Sequence, residues 1–268
     1  MNSRLFQVPA GILLLVSFAS AEAIGAATPA GAEGLVLVRL AGTPEEVGKT
    51  WGEVNKQAIA HDLDVLYLKK AAAAGISEAT LVERSKEWAR IAGEIAPHWL
   101  VEARAIARAA GVDEELYVSF VAGKVRNLFL NECTSYAVSR KHTKGGAILF
   151  HKTRDNEDRP QAAFVLESSV EGINKFIAVT DASVIGCSMM VNDKGLAGSA
   201  DYPAHLTRKN DSDAARQLQP FPLPEPAEPR YRGMMSGALL RHIAETASSC
   251  REALEIIGRD HPALDDRE

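Results

Sequence analysis

One change of period constrains this chain more than any other feature. Over residues 34–132 the apolar residues recur at helical spacing, and from Cys133 onward they fall at the shorter period of strands. At the change lies Asn131-Glu132-Cys133-Thr134-Ser135-Tyr136. A Lys-Gly-Gly turn and the run Ala147-Ile148-Leu149-Phe150-His151-Lys152-Thr153-Arg154-Asp155-Asn156 follow. This reads as strand, turn and strand. If the two strands pair as neighbours, the end carrying Arg154 and Asp155 returns to the start of the first strand, where Cys133 sits. A thiol, a cation and a carboxylate then meet, which is what nucleophilic amide chemistry needs.

The helical part opens with a short apolar strand over 35–40. Thr43-Pro44-Glu45-Glu46 is a helix start: Thr43 caps, Pro44 suits the first helical position, and Glu46 completes a capping box. Val47, Trp51, Val54 and Ala58 share the face that follows. A second helix begins after Ser77 with Leu81, Trp88, Ile91 and Ile95 inward, and a third runs over 97–110 and stops at Gly111.

Beyond Cys133 the expected strands are 133–139, 147–152, 162–167, 175–180, 184–191 and 196–200, separated by Gly-containing turns and spaced closely enough for antiparallel pairing. Residues 217–230 hold five prolines and read as a loop over the surface. Two helices close the chain, over 234–247 and then from a Ser249 cap, with Glu252 three residues on, to Gly258. The fold class is therefore α+β.

The length of 268 residues suits one large domain or two small ones, and the net charge of −5 carries no basic stripe for phosphates, which argues against a nucleic-acid partner. Near the N-terminus Arg4 precedes the apolar run Gly11-Ile12-Leu13-Leu14-Leu15-Val16, and small residues follow to Ala27. Residues 1–27 thus read as a signal peptide whose apolar part is too short to span a bilayer comfortably, and the protein as exported to a periplasm or secreted with no stable membrane span once cut, the alternative being an uncleaved membrane anchor. Three cysteines leave at least one unpaired. Cys133 is the expected free thiol, while Cys187 and Cys250 are either inert or bridged. The spacings of common zinc, nucleotide and serine-hydrolase motifs are absent.

Cys133-Thr134, the strand end Lys152-Thr153-Arg154-Asp155-Asn156, and Met189-Met190-Val191-Asn192-Asp193-Lys194-Gly195-Leu196-Ala197, in that order, resemble the acyl-coenzyme A:6-aminopenicillanic acid acyltransferase-like group of N-terminal nucleophile hydrolases. Choloylglycine hydrolases and acid ceramidases are more distant members of that fold. The likeness runs from about Gly34 to the chain end and includes a Gly-x-x-x-Gly stretch at Gly48 and Gly52. It implies a four-layer αββα sandwich, a helical pro-segment over 34–132, and a core over 133–268. Members normally continue into further strands, so on this resemblance the core looks incomplete at its C-terminus.

The resemblance also implies a chemistry. The precursor cuts its own backbone before the nucleophile, here Glu132-Cys133, and the freed α-amine becomes the thiol's base. An α-amine titrates near ~8 and a thiol near ~8.5, so proton exchange between them is nearly balanced. The thiolate attacks a linear acyl amide, forms a thioester, and passes the acyl group to water or an amine. No cofactor and no metal are called for, and the partner is a small-molecule acyl amide. Arg154 and Asp155 match the family's supporting charged pair, with Asp158 a rival for the aspartate. Asn192-Asp193-Lys194-Gly195 matches a turn whose role is mainly geometric. Asp201, in Ala200-Asp201-Tyr202-Pro203, falls where the choloylglycine branch has an asparagine that donates to the oxyanion. An ionised carboxylate cannot donate, so either its backbone N–H serves or the oxyanion hole is built differently. Two other readings remain open: an unprocessed, non-catalytic binding module, and a conventional cysteine protease using His151 or His142 as base.

Overall fold

The computed structural model describes residues 36–122, 131–156, 159–201 and 236–260. The expected signal peptide, the Pro-rich run, the rival Asp158 and the tail after 260 lie outside them. The described residues form a mixed α+β structure with a five-stranded mixed sheet, a separate two-stranded hairpin and a helical layer.

Strand β1 (Val36–Gly42) leads into α1 (Pro44–Val54), whose start has both halves of the capping box: Glu46 N–H donates to Thr43 Oγ1, and Thr43 N–H donates to the Glu46 carboxylate. The next stretch comprises α2 (Lys56–His61), a π-helical segment (Asp62–Leu68) and α3 (Lys69–Ala73), of which the apolar spacing reaches only Ala58. Then come α4 (Glu78–Ile95), capped by Ser77, and α5 (His98–Ala110), ended by Gly111 at φ +74°. The short α6 (Glu114–Val121), capped by Asp113, completes the layer. Helix α1 lies directly on α5 because it has no side chain at two contact positions. A Cβ on Gly48 would sit 2.4 Å from Glu102 O, and one on Gly52 2.6 Å from Ile106 O.

The hairpin is β2 (Asn131–Val138) with β3 (Leu149–Asn156). The larger sheet runs β1-β4-β5-β6-β7, with β4 (Gln161–Ser168), β5 (Phe176–Asp181), β6 (Met189–Asn192) and β7 (Ala197–Ser199). Only the β1–β4 pairing is parallel among these neighbours. It joins the start of the expected pro-segment to the core, so the two share a sheet. They also share one apolar core, in which Trp51 packs edge-on against Phe164 at 5.5 Å, and Phe164 against Phe176 at 5.7 Å.

Helices α7 (Ser236–Thr246) and α8 (Cys250–Asp260) follow, and α8 runs through Gly258 rather than stopping there. The expected strand over 184–191 is a second difference, since only Met189–Asn192 is extended. The reason lies in its hydrogen bonds. Ile185 O accepts from Arg241 Nη1 at 3.1 Å, and Ser183 O accepts from Tyr117 Oη at 2.8 Å, so side chains satisfy carbonyls of a buried irregular segment that a ladder would otherwise serve.

Arg241 of α7 is the hub of a buried ionic network. Its guanidinium grips Glu102 of α5 at 2.5 and 2.9 Å and Glu245 at 2.8 Å, and lies over the Trp99 ring. Trp99 Nε1 donates to Glu245, and His98 Nε2 lies 3.0 Å from the same carboxylate. Burial opposes the charge on Glu245, but Arg241 and His98 outweigh it and hold the carboxyl below its ordinary range. This network fixes the helical layer to α7, and Asn192 then fixes α7 to the sheet. Asn192 Nδ2 donates to Ala244 O and Ala247 O, while its Oδ1 accepts from the Lys194 and Leu196 N–H groups across a turn that needs Gly195 at φ +80°.

Candidate active site

The hairpin positions the candidate site. Its loop is closed by Thr143, whose Oγ1 donates to Arg140 O and Ala147 O, and by Gly145 and Gly146 at positive φ. The resulting register places Cys133 opposite Arg154 and Ser135 opposite Lys152. Successive strand residues point to opposite faces, so these four share one. That face turns inward: the Lys152 side chain is 2% exposed and that of Arg154 12%. The other face carries exposed Tyr136 and His151, stacked with ring centroids 4.7 Å apart. His151 is therefore on the wrong side of the strand to serve Cys133, and His142 is exposed in the loop at the far end of the hairpin. Neither histidine forms the dyad that its nearness in sequence suggested.

Arg154 reaches the end of β5. Its Nη1 donates to Asp181 Oδ1 at 2.9 Å and its Nη2 to Oδ2 at 3.4 Å, and Arg159 Nη1 lies 3.2 Å from the same carboxylate. Among the described side chains, the carboxylate that Arg154 holds is that of Asp181. Asp155 pairs in register with Glu132, and of Asp155 only the backbone is described. Asp181 could not be picked out from the sequence. It follows an apolar alternation like any strand-end residue, and 27 positions separate it from Arg154.

Asp201, just past β7, binds the other cation. Lys152 Nζ donates to Asp201 Oδ1 and to Ala200 O, both at 2.5 Å. Ser135 Oγ donates to Asp201 Oδ2, and the Ser199 hydroxyl lies 3.2 Å from the same oxygen and 3.1 Å from Ser135 Oγ, either of which can take its one proton. Burial works against ionisation of Asp201, yet the bonds from Lys152, Ser135 and Ser199 outweigh it and bring its carboxyl below the ordinary range. Asp201 is an ionised acceptor here. Its side chain cannot be the oxyanion donor that stands at this place in the choloylglycine branch.

All three cysteines are free thiols, so Cys187 and Cys250 form no bridge. Cys187 is buried and its thiol is pushed far up by that burial, Cys250 is exposed, and Cys133, opposite Arg154 in the hairpin register, is half-buried. Among the described residues no three His, Cys, Asp or Glu side chains are grouped as a metal site would require, and no helix is long and apolar enough to cross a membrane. Searches against protein-family models and against curated proteins find no match to this chain.

Proposed function

We propose that this protein is a self-processing N-terminal cysteine hydrolase or acyltransferase of the N-terminal nucleophile αββα type, acting on the acyl group of a linear amide after export. The observation that carries this reading is the register of the hairpin, which sets Cys133 opposite Arg154 on an inward polar face with Asp181 and Asp201 balancing the cations.

The first step is intramolecular. Cys133 Sγ attacks the carbonyl carbon of Glu132 through a five-membered ring, the thiol proton passes to the departing backbone nitrogen, and the C–N bond breaks to leave a thioester. Water then cleaves the thioester, giving a Glu132 carboxylate, a free thiol and a Cys133 α-amine. That amine takes the thiol proton in each later turnover and returns it to the leaving amine of the substrate. Arg154, held by Asp181, supplies fixed positive charge beside the nucleophile; the bidentate pair keeps the guanidinium from collapsing onto the thiolate.

A panel of acyl amides, quenched in acid and digested, tests the reading. The acyl mass is expected on the peptide carrying Cys133 and turnover is expected to vanish in Cys133→Ala. Acylation elsewhere, or turnover retained in that variant, contradicts it. The engagement of Asp201 by Lys152 favours one competing reading, an unprocessed binding module of the same fold, for which no acyl amide labels Cys133.

A further inference from the structure

We infer that Lys152, locked in place by Asp201, is a second catalytic cation for the Cys133 centre and supplies the N–H that Asp201 cannot. The inference rests on the reading of Cys133 as nucleophile and names how its negative charge is handled.

Lys152 is almost fully buried, which for an ammonium is costly unless hydrogen bonds replace its water. Ala200 O and Asp201 Oδ1 take two of its three N–H groups. Its cross-strand partner is Ser135, two positions from Cys133 on the same face, and such diagonal neighbours lie about 7–8 Å apart, within reach of a lysine side chain. Ser135 is wired to the same carboxylate and to Ser199, so the Lys152 ammonium and the Ser135 hydroxyl are anchored as one unit beside the nucleophile. A donor held in a half-dry site, aimed where charge develops, is what stabilises an acyl-transfer oxyanion. Asp201 is then a positioning residue.

The charged groups of this face are Lys152 and Arg154 from β3, Asp181 from the end of β5, Arg159 ahead of β4, and Asp201 beyond β7. Removing Lys152 or Asp201, one at a time, predicts shifts of opposite sign. Lys152→Met deletes a cation and leaves the Asp201 anion, so the Cys133 thiolate is harder to form. Asp201→Asn leaves the cation uncompensated, so the thiolate forms more easily.

The experiment is the pH dependence of Cys133 alkylation by iodoacetamide in the full-length chain, read peptide by peptide, with exposed Cys250 as internal control. The Cys133 midpoint is expected to rise by about one pH unit in Lys152→Met, to fall by about one in Asp201→Asn, and to stay near wild type in Lys152→Arg. Cleavage at Glu132-Cys133 is expected to slow at least about tenfold in Lys152→Met and only a few-fold in Lys152→Arg. Unchanged midpoints, or both substitutions moving Cys133 the same way, overturn the inference. Should Lys152→Met fail to fold, the downward shift in Asp201→Asn decides by itself. Opposed shifts in a chain that never cuts leave the role of Lys152 standing and remove self-processing; cutting at the wild-type rate with unmoved midpoints does the reverse.

Discussion

Two polar clusters in this molecule have the same ingredients, an arginine, carboxylates and a cysteine, and opposite characters. Around Arg241 everything is buried: Glu102 and Glu245 saturate the guanidinium, and Cys187 nearby is an inert thiol that burial keeps protonated. On the hairpin face the charges are paired just as closely, but the Asp201 side chain is 34% exposed and Cys133 only half-buried. The first cluster joins α5, α7 and the segment before β6, as a structural hub should. The second joins a two-stranded hairpin to the ends of β5 and β7, at the rim of the sheet. Charge pairing alone does not mark a site. The proposed function rests on pairing at an accessible rim on the face that carries a half-buried thiol.

The comparison breaks most visibly at its buried end. Arg241→Met leaves two carboxylates buried without their cation and is expected to cost about 3–5 kcal/mol, read as a lower urea midpoint, whereas a loss under 1 kcal/mol would show that the hub is not structural. Gly48→Ala drives a Cβ into the Glu102 backbone on the same helix that feeds the hub, and is expected to cost about 1–3 kcal/mol by the same measurement; a neutral result means α1 and α5 separate easily.

Acid sharpens the contrast further. The folded Glu245 carboxyl titrates below its ordinary value of 4.5, so the unfolded chain binds its proton first as the pH falls. Its stabilisation is whole above that value and is lost as the pH drops from there through the folded value. Thermal melts from pH 6 to 3 should therefore fall chiefly below about 4.5, and Glu245→Gln should flatten that slope; an unaltered slope assigns the acid sensitivity elsewhere. The smallest effect belongs to the outer face of the hairpin. His151→Ala loses one exposed stack, is expected to change stability by at most about 1 kcal/mol, and leaves cleavage untouched. A loss of cleavage would return His151 to the mechanism.

What could be read in advance follows the range of the interactions involved. Caps act over three residues, so Thr43, Ser77, Gly111 and Ser249 marked their helix ends correctly. The hairpin was legible because Lys144-Gly145-Gly146 lies between two apolar runs. Where packing at long range decides, the pattern failed. Residues 56–73 are helical around a π segment that ties Asp62 to Ser183 and Tyr67 to Ser119, and nothing local announces those ties. The Arg241 hub spans 139 positions to Glu102, and Asp181 meets Arg154 only because β5 ends beside β3. On the hairpin face, the meeting of the Cys133 and Arg154 strands was expected from order and spacing, whereas the contacts of Lys152 and Ser135 with Asp201 needed the register.

The central claim is that Cys133 cuts the chain ahead of itself, and the intact mass of the purified protein beside Cys133→Ala tests it most directly. The account predicts two fragments meeting at Glu132/Cys133 in the wild type and a single uncut mass in the variant. One uncut mass in both proteins would contradict it and leave the hairpin face as a binding surface.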